Sequence, residues 1–287
     1  MAEVSVVIAT RDRRDELLRT LERLTALPDR PPVVVVDNGS RDGTPAAVAA
    51  RFPGVRLAAL ARNHGACARN VGARLTDTPY IAFSDDDSWW EPHALTRAAE
   101  VFSRYPALGL LVGRILLGEG TTADHVSEKM ATAPLGTPDD LPGPAVLGFP
   151  ACAAIVRRDA FTAAGGFDDL LFFGGEETLL ALDLAAHGWG IAYTADITAR
   201  HAPSPHRAIA PRRWALHRRN DLLIHWMRLP LTTAARRTAL LAAQATHNRA
   251  AARALTGLLR RLPTALHRRT PAPPHLTAQL TTLGELR

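Results

Sequence analysis

The chain has 287 residues, a hydrophobic fraction of 47%, a charged fraction of 22% and a formal net charge of +6 at pH 7. This composition is that of an ordinary globular protein and excludes a disordered chain or a collagen-like fibre. No apolar stretch approaches the roughly 20 residues that span a bilayer, and the first apolar run is too short for a secretory signal peptide. We therefore expect a cytoplasmic protein with one large α/β domain, or one such domain with an appendage.

The first hundred residues alternate between strand and helix patterns. β-branched apolar runs predict buried strands at residues 4–9, 33–36, 55–60 and 80–83. Between them we expect an amphipathic helix capped by Asp12, an Ala-rich helix ending near Arg51, and a loop at 63–75 that runs into a third helix. This alternation predicts βαβ units and a mostly parallel, Rossmann-like sheet flanked by helices.

The rest of the chain is less regular. Strands are predicted at 108–117, 151–156 and 190–193, and helices from residue 159 and over 176–187. Residues 212–263 are predicted to be helical, and the proline-containing end of the chain to be loose. The pattern thus predicts an α/β body followed by a helical C-terminal segment.

Positive charge is concentrated in that C-terminal segment. Acidic and basic residues are mixed up to about residue 177, whereas arginine pairs crowd the sequence after residue 200. A basic protein often binds nucleic acid. The uneven distribution instead favours one basic face on a balanced body, so we expect no nucleic-acid partner.

Polar residues gather where the predicted strands end. Thr10 and Arg11 follow the first strand, Asp37 the second, Asn63 the third, and the triplet that begins at Asp85 the fourth. Ligands of open α/β sheets bind outside the carboxyl ends of the strands. We therefore expect these four clusters to meet in one crevice.

The triplet Asp85, Asp86 and Asp87 is costly after an apolar strand unless something neutralises it. Side chains alternate along an extended segment, so the first and third carboxylates point one way and the second the other. Two such carboxylates with open coordination positions suit Mg²⁺ or Mn²⁺, ions that usually also hold phosphate oxygens. The alternatives are a solvated acidic turn or a cap for the next helix.

No phosphate-binding glycine motif follows the first strand. A bound phosphate would then be held by a metal ion, by backbone amides and by arginine. The segment from Asn63 to Asn70 offers a helix start and the guanidinium of Arg69. The alternative for Arg69 and Asn70 is helix surface and local capping.

Several segments, in this order, resemble the GT-A-fold glycosyltransferases of family 2, and in particular bacterial, rhamnosyltransferase-like members. They are SVVIATRDR, VVVVDNGSRDGT, ARNHGACARNVGAR, AFSDDDSWWEP, VRRDAFTAAGGFDD, FGGEETLLALDLAAHGWGIAYTADITARH and RRNDLLIHW. The resemblance implies a GT-A domain at 1–210, with a nucleotide-binding half (1–105) and an acceptor and catalytic half (106–210). A helical, basic C-terminal extension would occupy 211–287.

The same resemblance implies a role for each matching residue. The nucleotide-sugar donor would contact Thr10, Arg11, Asp37, Ser40, Asn63, Arg69, Asn70, Asp85 and Asp86, and the metal ion would bind Asp87 and His201. The acceptor would meet Trp89, Trp90, Gly166, Phe167 and Asp168. The implied donor is a UDP-, dTDP- or GDP-sugar, the metal is Mn²⁺ or Mg²⁺, and the acceptor is a glycan, a lipid-linked sugar or a small molecule.

The implied reaction is an inverting transfer that needs a general base on the acceptor side. The family usually has Glu-Asp there, whereas this chain has Glu176 and Glu177. We predict Glu177 as the base, with Glu176 as the alternative. The extra methylene of Glu177 shifts its carboxylate by about an ångström, a displacement that matters for catalysis. A third interpretation is that both acids only favour a helix N-terminus.

Two other classes of protein share some of these features. A sugar nucleotidyltransferase would share the crevice and the metal, but its glycine- and lysine-rich phosphate loop is missing after the first strand. A basic binder of membrane or nucleic-acid surfaces would depend on the arginine-rich C-terminal helices, which could lie on the inner face of a membrane. The favoured alternative for those helices is packing with a solvated basic face.

Overall fold

Eight strands form one sheet in the computed structural model, which describes residues 2–203 and 211–284. The strands are β1 (Val4–Thr10), β2 (Val33–Asp37), β3 (Arg56–Ala59), β4 (Tyr80–Ser84), β5 (Ser88–Trp90), β6 (Leu108–Leu117), β7 (Ala154–Arg157) and β8 (Gly190–His201). Their spatial order is β3-β2-β1-β4-β7-β6-β8-β5. The predicted strands are present, except that residues 151–153 of the strand predicted at 151–156 form a 3-10 turn and β7 begins only at Ala154. β8 continues eight residues beyond its predicted end, and β5 was not predicted.

Helices cover the sheet and form the C-terminal segment. They are α1 (Arg14–Thr25), α2 (Thr44–Arg51), α3 (Ala68–Arg74), α4 (Ala94–Arg104), α5 (His125–Ala131), α6 (Arg158–Ala163), α7 (Glu176–Ala186), α8 (Pro211–Arg228), α9 (Leu231–Ala245), α10 (Arg249–His267) and α11 (Pro274–Thr282). No helix in the described residues is long and apolar enough to cross a membrane.

Two local predictions were wrong. Asp12 does not cap α1, because the N-cap is Arg13 and no side chain caps this helix. Asp12 instead has a φ of +51° and accepts a hydrogen bond from the backbone N of Arg41. The chain end is not loose either, since α10 continues through Pro263 and α11 follows it.

The N-terminal half of the sheet is parallel. β1 lies between β2 and β4, and β3 pairs with β2, all in the parallel direction. β1, β2 and β4 are buried almost throughout, as expected for strands covered by helices on both faces. Thr10 pairs in register with Asp37, so these two strands end together at the carboxyl edge.

The other half of the sheet is mixed. β7 runs antiparallel to both β4 and β6, whereas β6 and β8 are parallel. The register of the last pair shifts between Gly113 and Arg114, which face Thr194 and Thr198. β8 thus contains extra residues that bulge from the ladder. Beyond the bulge β8 pairs with β5, and His201 faces Ser88.

The C-terminal helices are packed onto the body of the protein. One apolar cluster joins Leu179 and Leu182 of α7 to Leu223 of α8, Leu258 of α10 and Leu276 of α11. The predicted boundary at residue 210 falls within 204–210, outside the described residues, so the two-part division stays a prediction. The cluster shows that the helix of the two predicted catalytic glutamates shares a core with the C-terminal segment.

Candidate active site

The carboxyl ends of the parallel strands open into a cleft of about 400 Å³. Its walls contain Thr10, Arg11, Asn63, Arg69, Asp85, Asp86 and Glu177 from the predicted site, together with Arg13, Asn38, Phe172, Phe173 and Arg213. Residues far apart in sequence thus meet at one edge of the sheet, as expected from the strand order. The cleft thus contains the carboxyl groups of Asp85, Asp86 and Glu177 together with several arginines.

The three aspartates have different partners. Asp85 Oδ1 lies 2.6 Å from Arg69 Nη2, in an ion pair that is nearly buried on the arginine side. Asp86 turns the other way, where it accepts a 3.0 Å hydrogen bond from Thr10 Oγ1 and lies 3.1 Å from Arg13 Nε. Asp87 Oδ2 accepts a 2.9 Å hydrogen bond from Arg13 Nη2. The alternation predicted for an extended segment is present only in part, because residues 86–87 form a turn and Arg13 contacts both Asp86 and Asp87, although Asp85 and Asp87 can still share an ion.

Burial raises the pKa of the Asp86 carboxyl to about 7. The positive charge of Arg13 opposes this rise, and the negative charges of Asp85 and Asp87 add to it. Three carboxylates in so little space repel one another unless cations lie among them. Among the described residues Arg13 and Arg69 supply two such cations.

The side chains of Asp85, Asp87 and His201 fit a divalent cation. One ligand atom from each lies within 4.8 Å of the other two. His201 is at the end of β8, its Nε2 is 3.3 Å from Asp87 Oδ1, and that buried nitrogen has no hydrogen-bond partner among the described residues. Carboxylate oxygens with one imidazole suit Mn²⁺, and also Mg²⁺ when water completes the shell. The residue pattern had suggested Asp85 and Asp87 as a pair of metal ligands, whereas the family resemblance assigned Asp85 to the donor.

The two glutamates open α7, just after Gly175 at a φ of +90°. Glu177 faces the cleft, whereas Glu176 is 2% exposed and its Oε2 has no hydrogen-bond partner in the described chain. Burial and the charge of Glu176 raise the pKa of Glu177 to about 7, against the opposing charge of Arg69. Burial also raises the pKa of Glu176. The cleft therefore contains a carboxylate that exchanges protons near neutral pH.

Three residues that were predicted to contact the donor are not part of the cleft wall: Asp37, Ser40 and Asn70. Asp37 is 1% exposed and accepts a hydrogen bond from the backbone N of Ser40 at 3.1 Å. Ser40 Oγ accepts from the backbone N of Asp12, so this pair fixes the turn after β2. Asn70 donates to the carbonyl of Phe167 at 2.8 Å and accepts from its N–H at 2.9 Å. These contacts support the walls of the cleft.

Asn38 follows β2 directly, in the polar cluster that was expected at the end of the second strand, but it had been given no role at the site. Its Oδ1 accepts from the backbone N of His64 at 2.7 Å, and its Nδ2 donates to the carbonyl of Gly65 at 3.0 Å. The side chain therefore ties the end of one strand to the loop after the next. Its place beside Asp37 at a strand end is the sequence signal that points to the cleft.

The prediction that Trp89 and Trp90 contact the acceptor was wrong. Trp90 is fully buried and Trp89 is 6% exposed, because β5 pairs with β8 and both rings join the core. The guanidinium of Arg23 lies 3.8 Å from the centre of the Trp89 ring. The two aromatic rings that do reach the cleft are Phe172 and Phe173, which are 40% and 41% exposed.

The loop before α7 is placed differently from its predicted acceptor role. Phe167 is 2% exposed and packs edge-on against Phe83, and Gly166 lines a second hollow of about 830 Å³ behind the cleft. Asp168 forms a 2.6 Å ion pair with Arg268 of the C-terminal segment. None of these three lines the cleft in the part of the chain that the structure describes. They support the loop that carries Phe172 and Phe173.

The chain matches a family of glycosyltransferases and is similar in sequence to curated bacterial proteins. Residues 5–164, more than half of the chain, match the family model for glycosyl transferase family 2. The N-acetylglucosaminyl-diphospho-decaprenol L-rhamnosyltransferase of Mycobacterium tuberculosis is 26% identical over 79% of this chain and 87% of its own length. The succinoglycan biosynthesis protein ExoO of Rhizobium meliloti is 41% identical over 34% of this chain and 29% of its own.

Solved structures show the same fold. The mannosyltransferase PcManGT of Pyrobaculum calidifontis, determined with GDP-Man and Mn²⁺, has a TM-score of 0.58 at 21% identity over 99% of this chain and 86% of its own. Staphylococcus aureus TarS with UDP has a TM-score of 0.54 at 18% identity, over 77% and 65%. The predicted GT-A fold is thus confirmed. The chain belongs to glycosyl transferase family 2 and is a glycosyltransferase.

Proposed function

We propose that this enzyme transfers a sugar from a nucleotide-diphosphate donor to a hydroxyl acceptor, with a divalent cation and with inversion at the anomeric carbon. One observation carries the proposal. Asp85, a member of the three-residue cation cluster, and Glu177, a carboxylate with a pKa near 7, line the same cleft. A group that can stabilise a leaving diphosphate and a group that can remove a proton are therefore available to one bound substrate pair.

The donor side is the strand-end part of the cleft. Asp85, Asp87 and His201 would hold the cation, which would neutralise charge that develops on the leaving diphosphate. Arg11 lines the same wall and could approach the phosphates or the ribose. The bound ligands of PcManGT and TarS, named above, support a nucleotide-sugar donor and a divalent ion here.

Glu177 is the proposed base. As the acceptor oxygen bonds to the anomeric carbon, its proton passes to the Glu177 carboxylate and the bond from that carbon to the diphosphate oxygen breaks. A single displacement of this kind inverts the anomeric centre. A base works best with a pKa near the working pH, which fits the pKa of about 7. Glu176 is less suited because its side chain is 2% exposed.

The acceptor is proposed to be a glycan, a lipid-linked sugar or a small molecule with a free hydroxyl. The name of the M. tuberculosis relative states a lipid-linked acceptor and a rhamnosyl donor. Phe172 and Phe173 are partly exposed on the wall that also contains Glu177, and the guanidinium of Arg213 lies 5.7 Å from the centre of the Phe173 ring. Such a surface accepts the apolar face of a sugar ring together with a nearby anionic group.

Calorimetry with UDP-, dTDP- and GDP-sugars, including dTDP-rhamnose, tests the donor part of the proposal. Each titration is run with Mn²⁺ and again with EDTA. We expect one nucleotide to bind in a Mn²⁺-dependent way, and the variant Asp87→Asn to bind it at least about tenfold more weakly because a charged ligand of the cation is lost. Asp139→Asn, the same change at an exposed site, is the matched control.

The outcome decides between classes of activity. Equal binding in Mn²⁺ and in EDTA would remove the metal from the proposal and leave a metal-independent transferase. Release of pyrophosphate from a nucleoside triphosphate and a sugar phosphate would instead identify a nucleotidyltransferase. If no nucleotide binds under either condition, the cleft is not a donor site.

A further inference from the structure

A buried amide on α8 holds the loop that precedes the proposed base. Asn220 has no exposed surface. Its Nδ2 lies 2.9 Å from the carbonyl oxygen of Leu171, 3.0 Å from that of Phe173 and 2.5 Å from that of Gly174. The two N–H bonds of one amide are thus shared among three carbonyls of a single stretch, which we call the 171–175 loop.

The orientation of this amide is fixed from its other side. Arg219 donates from Nε and Nη2 to Asn220 Oδ1, at 2.9 and 2.6 Å, and Nη2 also donates to the carbonyl of Leu171 at 3.0 Å. A guanidinium has only donors, so the atom that faces it must be the amide oxygen. The amide nitrogen must then face the 171–175 loop.

The 171–175 loop needs such support because its own sequence is permissive. Gly174 and Gly175 have φ values of +85° and +90°. Glycine adopts such values without strain but has no preference for them, so other contacts must keep the loop in this conformation. A Cβ on Gly174 would lie 2.6 Å from His217 and one on Gly175 3.2 Å from Ile224. The loop is therefore pressed against α8 and leads directly into Glu176 and Glu177.

A second contact fastens the residues just before this loop. Arg268, beyond the end of α10, lies 2.6 Å from an Oδ1 atom of both Asp168 and Asp169. The side chain of Arg268 is 38% exposed, so this contact is accessible to mutation without opening the core. The C-terminal segment thus holds the stretch before α7 at both of its ends.

We propose that Asn220 is a positioning residue for catalysis: by holding the 171–175 loop it fixes where the Glu177 carboxylate meets the acceptor hydroxyl. The inference rests on the proposed role of Glu177 as base. The C-terminal helices are then part of the catalytic unit, supported by the buried Arg219 and by the partly exposed Arg268. An error of about 1 Å in the placement of a reacting group can cost 10²-fold in rate.

Asn220→Asp tests the proposal at constant side-chain shape. The carboxylate keeps the contact with Arg219 but has no N–H to donate to the loop. The readout is metal-dependent hydrolysis of the bound nucleotide sugar by water, which needs no knowledge of the acceptor. We expect kcat to fall about 10- to 100-fold, with donor affinity within twofold and a displaced acidic limb of the kcat–pH profile. Gln244→Glu on the exposed side of α9 is the matched control.

Hydrogen–deuterium exchange and a second variant provide independent tests of the same proposal. Hydrogen–deuterium exchange of 169–177 should accelerate in Asn220→Asp while that of 4–37 stays unchanged, a result that does not depend on activity. Arg268→Ala, at a half-exposed site, should lower kcat in the same direction by a smaller factor. This second variant carries the test if Asn220→Asp does not fold.

The outcomes separate this proposal from the function it rests on. If wild type hydrolyses the donor and Glu177→Gln does not, while Asn220→Asp matches Gln244→Glu in kcat and exchange, the positioning role is wrong and the base stands. If Glu177→Gln retains full activity, the proposed base is wrong. Loss of donor affinity in parallel with kcat in Asn220→Asp would mark a general structural role and overturn the proposal.

Discussion

The donor side and the base side of the cleft are built by different means. On the donor side, Thr10, Asn38 and Asp85 each come within one residue of a strand end, so the sheet itself places them. On the base side, the 171–175 loop is held by Asn220, 46 residues from Gly174, and its start is held by Arg268, 100 residues from Asp168. The first arrangement depends on local sequence and strand order, and the second on long-range packing.

Because of this difference, substitutions should have different effects on the two sides of the cleft. A change at a strand end alters one contact and leaves its neighbours in place, because the ladder of backbone hydrogen bonds is intact. A change in the C-terminal helices acts at a distance, through the position of a loop. Damage to the base side should therefore lower kcat with little effect on donor affinity, and damage to the donor side should do the reverse.

The largest expected effect comes from Glu177→Gln. The amide keeps the size of the side chain but cannot accept the acceptor's proton, so we expect kcat to fall by about 10²- to 10⁴-fold. Donor affinity should stay within twofold of wild type by calorimetry. Glu100→Gln on an exposed face of α4 is the control. A large loss of donor affinity in Glu177→Gln would show that the two sides are not separable.

Gly65→Ala disrupts the contact between the two sides of the cleft, where the backbone at Gly65 meets that of Phe172. Its φ is +61°, an added Cβ would lie 1.9 Å from the carbonyl oxygen of Phe172, and that oxygen accepts a 2.7 Å hydrogen bond from the backbone N of Ala66. Gly188 has a φ of +83° with open space around it and supplies the control.

We expect Gly188→Ala to lower the free energy of unfolding by about 1 kcal/mol, the cost of the left-handed backbone alone. Gly65→Ala should lower the free energy of unfolding by at least about 2 kcal/mol, because loss of the hydrogen bond from Ala66 N to the carbonyl of Phe172 costs about 1 kcal/mol more. Urea unfolding measures both. Equal losses in the two variants would mean that the contact between Gly65 and Phe172 adds nothing to stability.

The smallest effect is a pH dependence that belongs to the base side alone. Since the pKa of Glu177 is raised to about 7, its carboxylate is mostly protonated at pH 6 and mostly ionised at pH 8. The base is active only when ionised, so kcat should fall about tenfold from pH 8 to pH 6. The residual activity of Glu177→Gln should lack this limb. Donor affinity measured over the same range locates any titration on the other side.

The convergence of the strand-end residues could be predicted from the sequence because the sheet itself places them. Buried β-branched runs end abruptly, and polar residues such as Thr10 and Asp85 mark those ends. The resemblance to a known family then located Glu177 and His201. It did not reveal that Trp89 and Trp90 are core residues, because pairing of β5 with β8 depends on a strand a hundred residues away.

The arginine-rich end of the chain was the least predictable part. The favoured interpretation was packed helices with a solvated basic face, and a membrane surface was the alternative, yet several of the guanidinium groups are hydrogen-bonded inside the protein. Arg228 forms an ion pair with Asp183 of α7, and Arg269 donates to the carbonyls of Trp226 and Leu229. Composition records the number of charges but not the direction in which they point, and only tertiary contacts give that direction.

The part of β8 that follows its bulge restricts which insertions and deletions the protein can tolerate. Between Thr198, where the ladder with β6 resumes, and His201 there are two residues, and this count decides which face of the sheet the imidazole occupies. Deletion of a single codon there would turn His201 away from Asp87 while the rest of the chain could still fold. Natural variation in this stretch should therefore exchange one amino acid for another and leave its length unchanged.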